Sequence, residues 1–114
     1  MTLVEIIYRD TESFPREETF GLKNQIRRAA VSVPSNLAEG SGRNSPGELR
    51  QFVGIASGSL SELETQLELA VRLGFLSRDA MAIRQASRVG KLVIAIRRSL
   101  SRLPVEPQTE KGDG

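Results

Sequence analysis

The sequence predicts an all-α protein, an up-down antiparallel four-helix bundle. Three observations carry that expectation. Apolar residues recur at steps of three and four along most of the chain, and no stretch alternates convincingly with period two. Proline and glycine fall where helices would start and stop. The connections between the long periodic segments are short, which makes successive helices antiparallel neighbours. A chain of 114 residues is enough for one domain with one core. With 39% hydrophobic and 26% charged residues it suits a folded chain rather than a disordered one. Aromatics make up only 4% and there is no Trp, so aliphatic side chains must fill the core.

Helix 1 is expected over 3–12, with Leu3, Ile6, Ile7 and Asp10 at helical spacing, ended by Ser13-Phe14-Pro15. Pro15 fits the first turn of a new element, and Glu17 and Glu18 suit the positive end of a helix dipole. Gly21 leaves the start of helix 2 open by several residues. Helix 2 then runs to about Gly40 on the stripe Leu22, Ile26, Ala29, Val33 and Leu37. Pro34 lies inside that stripe. It cannot donate to the Ala30 carbonyl and its ring crowds the preceding turn, so helix 2 should be kinked at Pro34 rather than broken. Ser32 and Ser35 are placed to satisfy the freed carbonyls.

Ser41-Gly42-Arg43-Asn44 reads as a loop, and Ser45-Pro46-Gly47-Glu48 as a capping box with proline at the first helical position. Helix 3 follows on the heptad-like series Leu49, Phe52, Val53, Ala56, Leu60, Leu63, Leu67, Ala70 and Val71, and Gly74 closes it as a left-handed cap. Ser77 can cap helix 4, with Asp79 in the first turn and Leu76 and Met81 forming a hydrophobic staple. Its core face is Ala86, Val89, Val93, Ile96, Leu100 and Leu103, and Pro104 stops it. The bundle therefore occupies 1–103, and the Pro-, Gly- and charge-rich segment 104–114 is expected to be a disordered tail.

Several chemistries are disfavoured. There is no cysteine for disulfides or thiolates, and no histidine, the commonest general base and transition-metal ligand. Di-metal sites of four-helix bundles use Glu-x-x-His pairs, which this chain lacks. Glu62, Glu64 and Glu68 crowd helix 3, where Glu64 is expected to form a half-buried ion pair with an arginine of a neighbouring helix. The loop after helix 2 lacks the Gly-Lys-Ser/Thr ending of a phosphate loop, and no nucleophile has a plausible base beside it. No enzyme, cofactor, metal or small-molecule substrate is expected. The longest aliphatic run, 92–96, is far too short for a membrane span. The N-terminus has no basic region ahead of an apolar core, so a cytoplasmic location is expected.

Two features point to self-association. Helix 1 is much shorter than helices 3 and 4, roughly 15 Å against roughly 40 Å at about 1.5 Å per residue, so part of an apolar stripe is left uncovered. Helix 3 also carries a second face, where Ile55, Leu69 and Leu73 share one sector with Gly54 and Gly58. Scattered surface apolars are normal on any protein. Three aliphatics beside two glycines that would let a second helix approach closely read as an oligomer interface.

Helix 4 is strongly basic. Arg78, Arg84, Arg88, Lys91, Arg97, Arg98 and Arg102 are set against one acid, Asp79. Arg84, Arg88, Lys91, Arg98 and Arg102 fall on one side, opposite the core face. Arginine offers paired donors to phosphate, and such a row can track a nucleic-acid backbone and displace its counterions. A solvated helix face, with cations favoured by the C-terminal dipole, is the plainer reading. No aromatic is interleaved along the row, so base stacking is not supported there.

The segment from Gln25-Ile26-Arg27-Arg28 through Val33-Pro34-Ser35-Asn36-Leu37-Ala38-Glu39-Gly40 to Ser41-Gly42-Arg43 resembles the signature of a bacterial family, the 23S rRNA intervening-sequence proteins. So does Ile55-Ala56-Ser57-Gly58-Ser59-Leu60-Ser61-Glu62-Leu63-Glu64-Thr65-Gln66-Leu67, followed by Leu73-Gly74-Phe75. Phe14-Pro15-Arg16-Glu17-Glu18 fits upstream. The resemblance implies a four-helix bundle assembled as a homopentamer. A distantly similar protein, the accessory variability protein of diversity-generating retroelements, is a basic pentamer that binds a reverse transcriptase and nucleic acid. The family usually carries a longer segment before the Ile7-Tyr8 pair, which leaves either a short helix 1 or a start placed too late. The shared motif also marks Arg28, Ser32, Ser35 and Glu39 on one face of helix 2. The plainer reading is a solvent face; the alternative is a buried or intersubunit hydrogen-bonded network with Arg28 and Glu39 as partners, and a structural use is expected rather than a ligand site.

The expected function is a non-enzymatic, oligomeric accessory protein that binds RNA, DNA or a nucleoprotein through Arg84, Arg88, Lys91, Arg98 and Arg102, with Arg43 in the loop as a weaker contact. The alternative is a protein-interaction scaffold with no nucleic-acid role.

Overall fold

The computed structural model describes residues 1–103. These residues form four α-helices and a single 3₁₀ turn, with no strand among the described residues. The helices are α1 (Leu3–Asp10), α2 (Leu22–Ser41), α3 (Pro46–Arg72) and α4 (Met81–Ser101), and the 3₁₀ turn is Arg16–Glu18. Helix α1 packs on α2, α2 on α3, α3 on α4 and α4 on α1, a closed ring of four neighbours. The tail expected to be disordered lies outside the described residues.

Helix α1 is set by a capping box of Thr2 and Glu5. The Glu5 N–H donates to Thr2 Oγ1 at 3.2 Å, and the Thr2 N–H donates to Glu5 Oε1 at 2.7 Å. The Thr2 backbone bond holds the Glu5 carboxyl below its usual range. Leu3, Ile6 and Ile7 are buried. The helix stops at Asp10, two residues short of expectation. Thr11 is fully buried just beyond it, donating its hydroxyl to the Ile7 carbonyl at 2.7 Å and accepting from Arg27 Nε at 2.9 Å.

Helix α2 begins at Leu22. Its N-cap, Gly21, has no side chain to offer, and Glu18 Oε1 reaches over it to accept the Leu22 N–H at 3.0 Å. Ile26, Ala29, Ala30 and Val33 are buried, and the helix continues through Pro34 to Ser41. Neither Ser32 nor Ser35 donates to a carbonyl of that turn. Asn36 Nδ2 instead donates to the Ser32 carbonyl at 2.8 Å. Near its end α2 comes so close to α3 that a Cβ on Gly40 would lie 2.9 Å from Phe52 Cβ.

Helix α3 starts where expected, but only half of the capping box forms. Ser45 Oγ accepts the Glu48 N–H at 3.2 Å, and Glu48 makes no return bond. Val53, Ala56, Leu60, Leu63, Leu67 and Ala70 are buried at alternating steps of three and four. Gly74 has φ +83°, with its N–H on the Val71 carbonyl and the Phe75 N–H on the Ala70 carbonyl, the Schellman closure.

Helix α4 departs most from expectation. It begins at Met81, not after Ser77. Its N-cap is Ala80, and the Ser77 hydroxyl donates to the Asp79 carboxylate instead. This bond is the leading cause of the lowered Asp79 pKa. The cap comes from another helix, as Asp10 Oδ2 accepts the Ala82 N–H at 2.9 Å. Met81 is exposed against Arg9, so the proposed staple is out of register. At the other end Arg50 of α3 donates to the Leu100 and Leu103 carbonyls at 3.0 and 3.1 Å. Ala82, Ala86, Val93 and Leu100 are buried. Ile96 and Leu103, expected in the core, are 39% and 41% exposed, and Leu92 is 64% exposed. Helix α1 meets α4 from Ala82 to Val89, where Leu3, Val4 and Val89 line one groove, and Ile96 and Leu103 lie beyond that contact.

Candidate nucleic-acid interface

Arg84, Arg88, Lys91, Arg98 and Arg102 are all exposed along α4. The buried residues Ala82, Ala86, Val93 and Leu100 repeat on the opposite side at 100° per residue, so the cations share a solvent-facing row. Each ion pair among the described residues uses an arginine outside α4: Arg9, Arg27, Arg43, Arg72 or Arg78. The five α4 cations have no carboxylate within 4 Å among the described residues. Arg84 donates to the Asp79 carbonyl. Such a row presents uncompensated positive charge and a series of N–H donors, the chemistry that meets phosphate.

Arg43 is engaged differently. Its Nη2 lies 2.6 Å from Glu39 Oε2, and its guanidinium carbon sits 5.0 Å from the centre of the Phe52 ring. That pairing also takes Glu39 away from Arg28. Of the four polar residues expected to form a network on α2, Ser32 alone reaches a neighbouring helix, sharing a hydroxyl–hydroxyl hydrogen bond of 2.7 Å with Ser59 of α3. Arg28 and Ser35 are exposed and make no side-chain hydrogen bond among the described residues.

The ion pair expected at Glu64 forms instead at Glu68. Arg78 donates to both of its carboxylate oxygens at 3.0 Å, and Arg72 donates from the same helix at 2.9 Å. Arg78 first, and Arg72 second, hold the Glu68 carboxyl down to about 2.

On the second face of α3, Ile55, Leu69 and Leu73 are exposed. A Cβ on Gly54 or Gly58 would meet nothing within 4 Å. Packing within the chain therefore does not require either glycine. Among the described residues no group of carboxylates is arranged to hold a metal ion, and no helix is long and apolar enough to cross a membrane.

None of the curated proteins compared with the chain matches it. The family model described as 23S rRNA-intervening sequence protein matches residues 1–95, from Met1 to Ala95 within α4, and the chain belongs to that family.

Proposed function

We propose that this protein is a non-enzymatic accessory protein that binds nucleic acid, RNA or an RNA–protein complex, through the basic face of α4, and that it works as a homo-oligomer. The observation that carries this reading is the row of exposed, carboxylate-free cations from Arg84 to Arg102. Among the described residues Arg9, Arg27, Arg43, Arg72 and Arg78 pair with acids, whereas none of the five cations of the row does. Family membership supports an RNA-related role.

The oligomer reading is supported by the two glycines of α3 that serve no packing within the chain and by the aliphatic residues beside them. A homopentamer, as the family resemblance implies, would repeat the basic rows around the assembly and add avidity. Within each chain the helices run up and down in turn, with α2 bent at Pro34. Contacts such as Arg50 near the start of α3 with the last carbonyls of α4 support the first. The missing N–H of Pro34 in an unbroken helix supports the second. We place the protein in the cytoplasm.

The test is a salt series with a short RNA duplex, read by fluorescence anisotropy. The log of the affinity should fall linearly with the log of salt concentration, and Arg88→Glu combined with Arg98→Glu should abolish binding. Salt-independent or absent binding would overturn the reading and favour a scaffold whose α4 face meets an acidic protein.

A further inference from the structure

Phe20 stands almost wholly in solvent, 92% exposed, in the link between the 3₁₀ turn and α2. A phenylalanine so placed contributes nothing to the core. It forms one wall of a groove of about 650 Å³, a size typical of small-ligand sites. Tyr8 of α1 supplies a second ring, Lys23, Arg27 and Arg28 supply cations, and Asn24 lies among them. No carboxylate lines this groove.

The three cations differ. Arg27 is fixed in place, with its guanidinium carbon 4.2 Å from the centre of the Tyr8 ring, and with bonds to Thr11 Oγ1 at 2.9 Å, the Tyr8 carbonyl at 3.0 Å and Glu12 at 3.3 Å. It holds the Tyr8 wall. Lys23 and Arg28 have no carboxylate partner among the described residues. An exposed flat ring beside two uncompensated cations, within one ligand-sized groove, matches a ligand that is itself a flat ring joined to an anion.

We infer that this groove binds a nucleotide unit, with the base against Phe20 and the phosphate between Lys23 and Arg28. Asn24 carries both a donor and acceptors for the base edge. The site is separate from the basic row, because no residue of α4 lines this groove. The same chemistry is offered by a free mononucleotide and by an unpaired nucleotide within a single strand. A base stacked inside a duplex is not available to Phe20.

Tyr8 is the only tyrosine of the chain, so protein labelled with 3-fluorotyrosine gives one fluorine resonance, located at this groove. It is titrated at fixed salt with AMP, a single-stranded RNA, an RNA duplex, inorganic phosphate and a short acidic peptide. AMP and the single strand are expected to shift the resonance, while the other three leave it in place at the same concentrations. Measured in the variant carrying Arg88→Glu and Arg98→Glu, equal affinities identify the free nucleotide as the ligand, and tighter binding of the strand identifies an unpaired segment. Phe20→Ala, which removes a side chain outside the core, should weaken binding about tenfold, and Lys23→Gln with Arg28→Gln should weaken it similarly. Arg88→Glu with Arg98→Glu should leave the AMP titration unchanged, so failure here is distinct from failure of the α4 reading. A resonance unmoved by AMP and strand, an equal response to phosphate or peptide, or unchanged affinity in Phe20→Ala would each overturn the inference.

Discussion

The carboxylate of Asp10, the last residue of α1, caps the backbone of Ala82, the second residue of α4, at 2.9 Å. The shortest helix thus fixes the start of a helix more than seventy residues away in sequence. A carboxylate at a helix N-terminus satisfies an orphan N–H and meets the positive end of the dipole. Asp10→Ala should therefore cost about 1 kcal/mol in urea unfolding, with Asp10→Asn retaining most of the stability. Ser77→Ala should change stability by less than about 0.5 kcal/mol. A larger loss at Ser77 than at Asp10 would return the cap to the local residue.

Gly40 is where α2 and α3 come closest. A Cβ there would lie 2.9 Å from Phe52 Cβ and 3.1 Å from Leu49 Cδ1. Gly40→Ala must push the helices apart, which outweighs its gain in helix propensity. We expect a net loss of about 1–3 kcal/mol, as in other overpacked cores, seen as a lower urea midpoint. An unchanged midpoint would mean that the α2–α3 contact is looser than these distances.

Gly58 is the contrasting case, since a Cβ there meets nothing in the chain. Gly58→Ala should stabilise each isolated chain by roughly 1 kcal/mol through helix propensity. If a second copy packs on this face, the same methyl group should lower the mass measured by light scattering. A more stable chain with unchanged mass would remove Gly58 from the interface.

Glu68 sets an acid limit. Its folded pKa of about 2 is below the ordinary value of 4.5 because of Arg78 and then Arg72. A depressed carboxylate contributes stability that is fully present above the unfolded value and is lost as pH falls through the folded one. The Tm of the native protein and of Glu68→Gln should differ above pH 4.5 and converge as pH approaches 2. Because the pair is exposed, added salt should shrink the difference. A constant gap at all pH values would refute the assignment.

Within the α4 row each cation should act as one phosphate contact. Arg98→Gln should lower the slope of log affinity against log salt by about 1 and weaken binding to different RNA sequences alike. A sequence-selective loss with unchanged slope would mean that Arg98 reads bases.

Four helices, the α3 boundaries and most of the core were legible in the sequence. They depend on local periodicity and on local stop signals, of which Gly74 with its positive φ is the clearest. The basic row of α4 was equally legible, since residues at steps of three, four and seven must share a side whatever packs opposite. The start of α4 was not. Ser77 and Asp79 satisfy each other, and the donor that needed capping found Asp10, a partner no local pattern could name. The spacing of Ile96 and Leu103 puts them on the core side of α4. Spacing selects a side of a helix, but burial needs a neighbour, and α1 lies against α4 only from Ala82 to Val89. The groove of Tyr8, Phe20, Lys23 and Arg28 is likewise a tertiary product. Helix periodicity places residues on one helix relative to each other, whereas the meeting of rings from α1 and the link with cations from α2 depends on how the chain turns between them. What the sequence determined by itself was therefore everything that repeats along a helix. The tertiary structure alone decided which ends are capped, which stripes are covered and which distant side chains share a surface, because those depend on distances between helices that no local periodicity encodes.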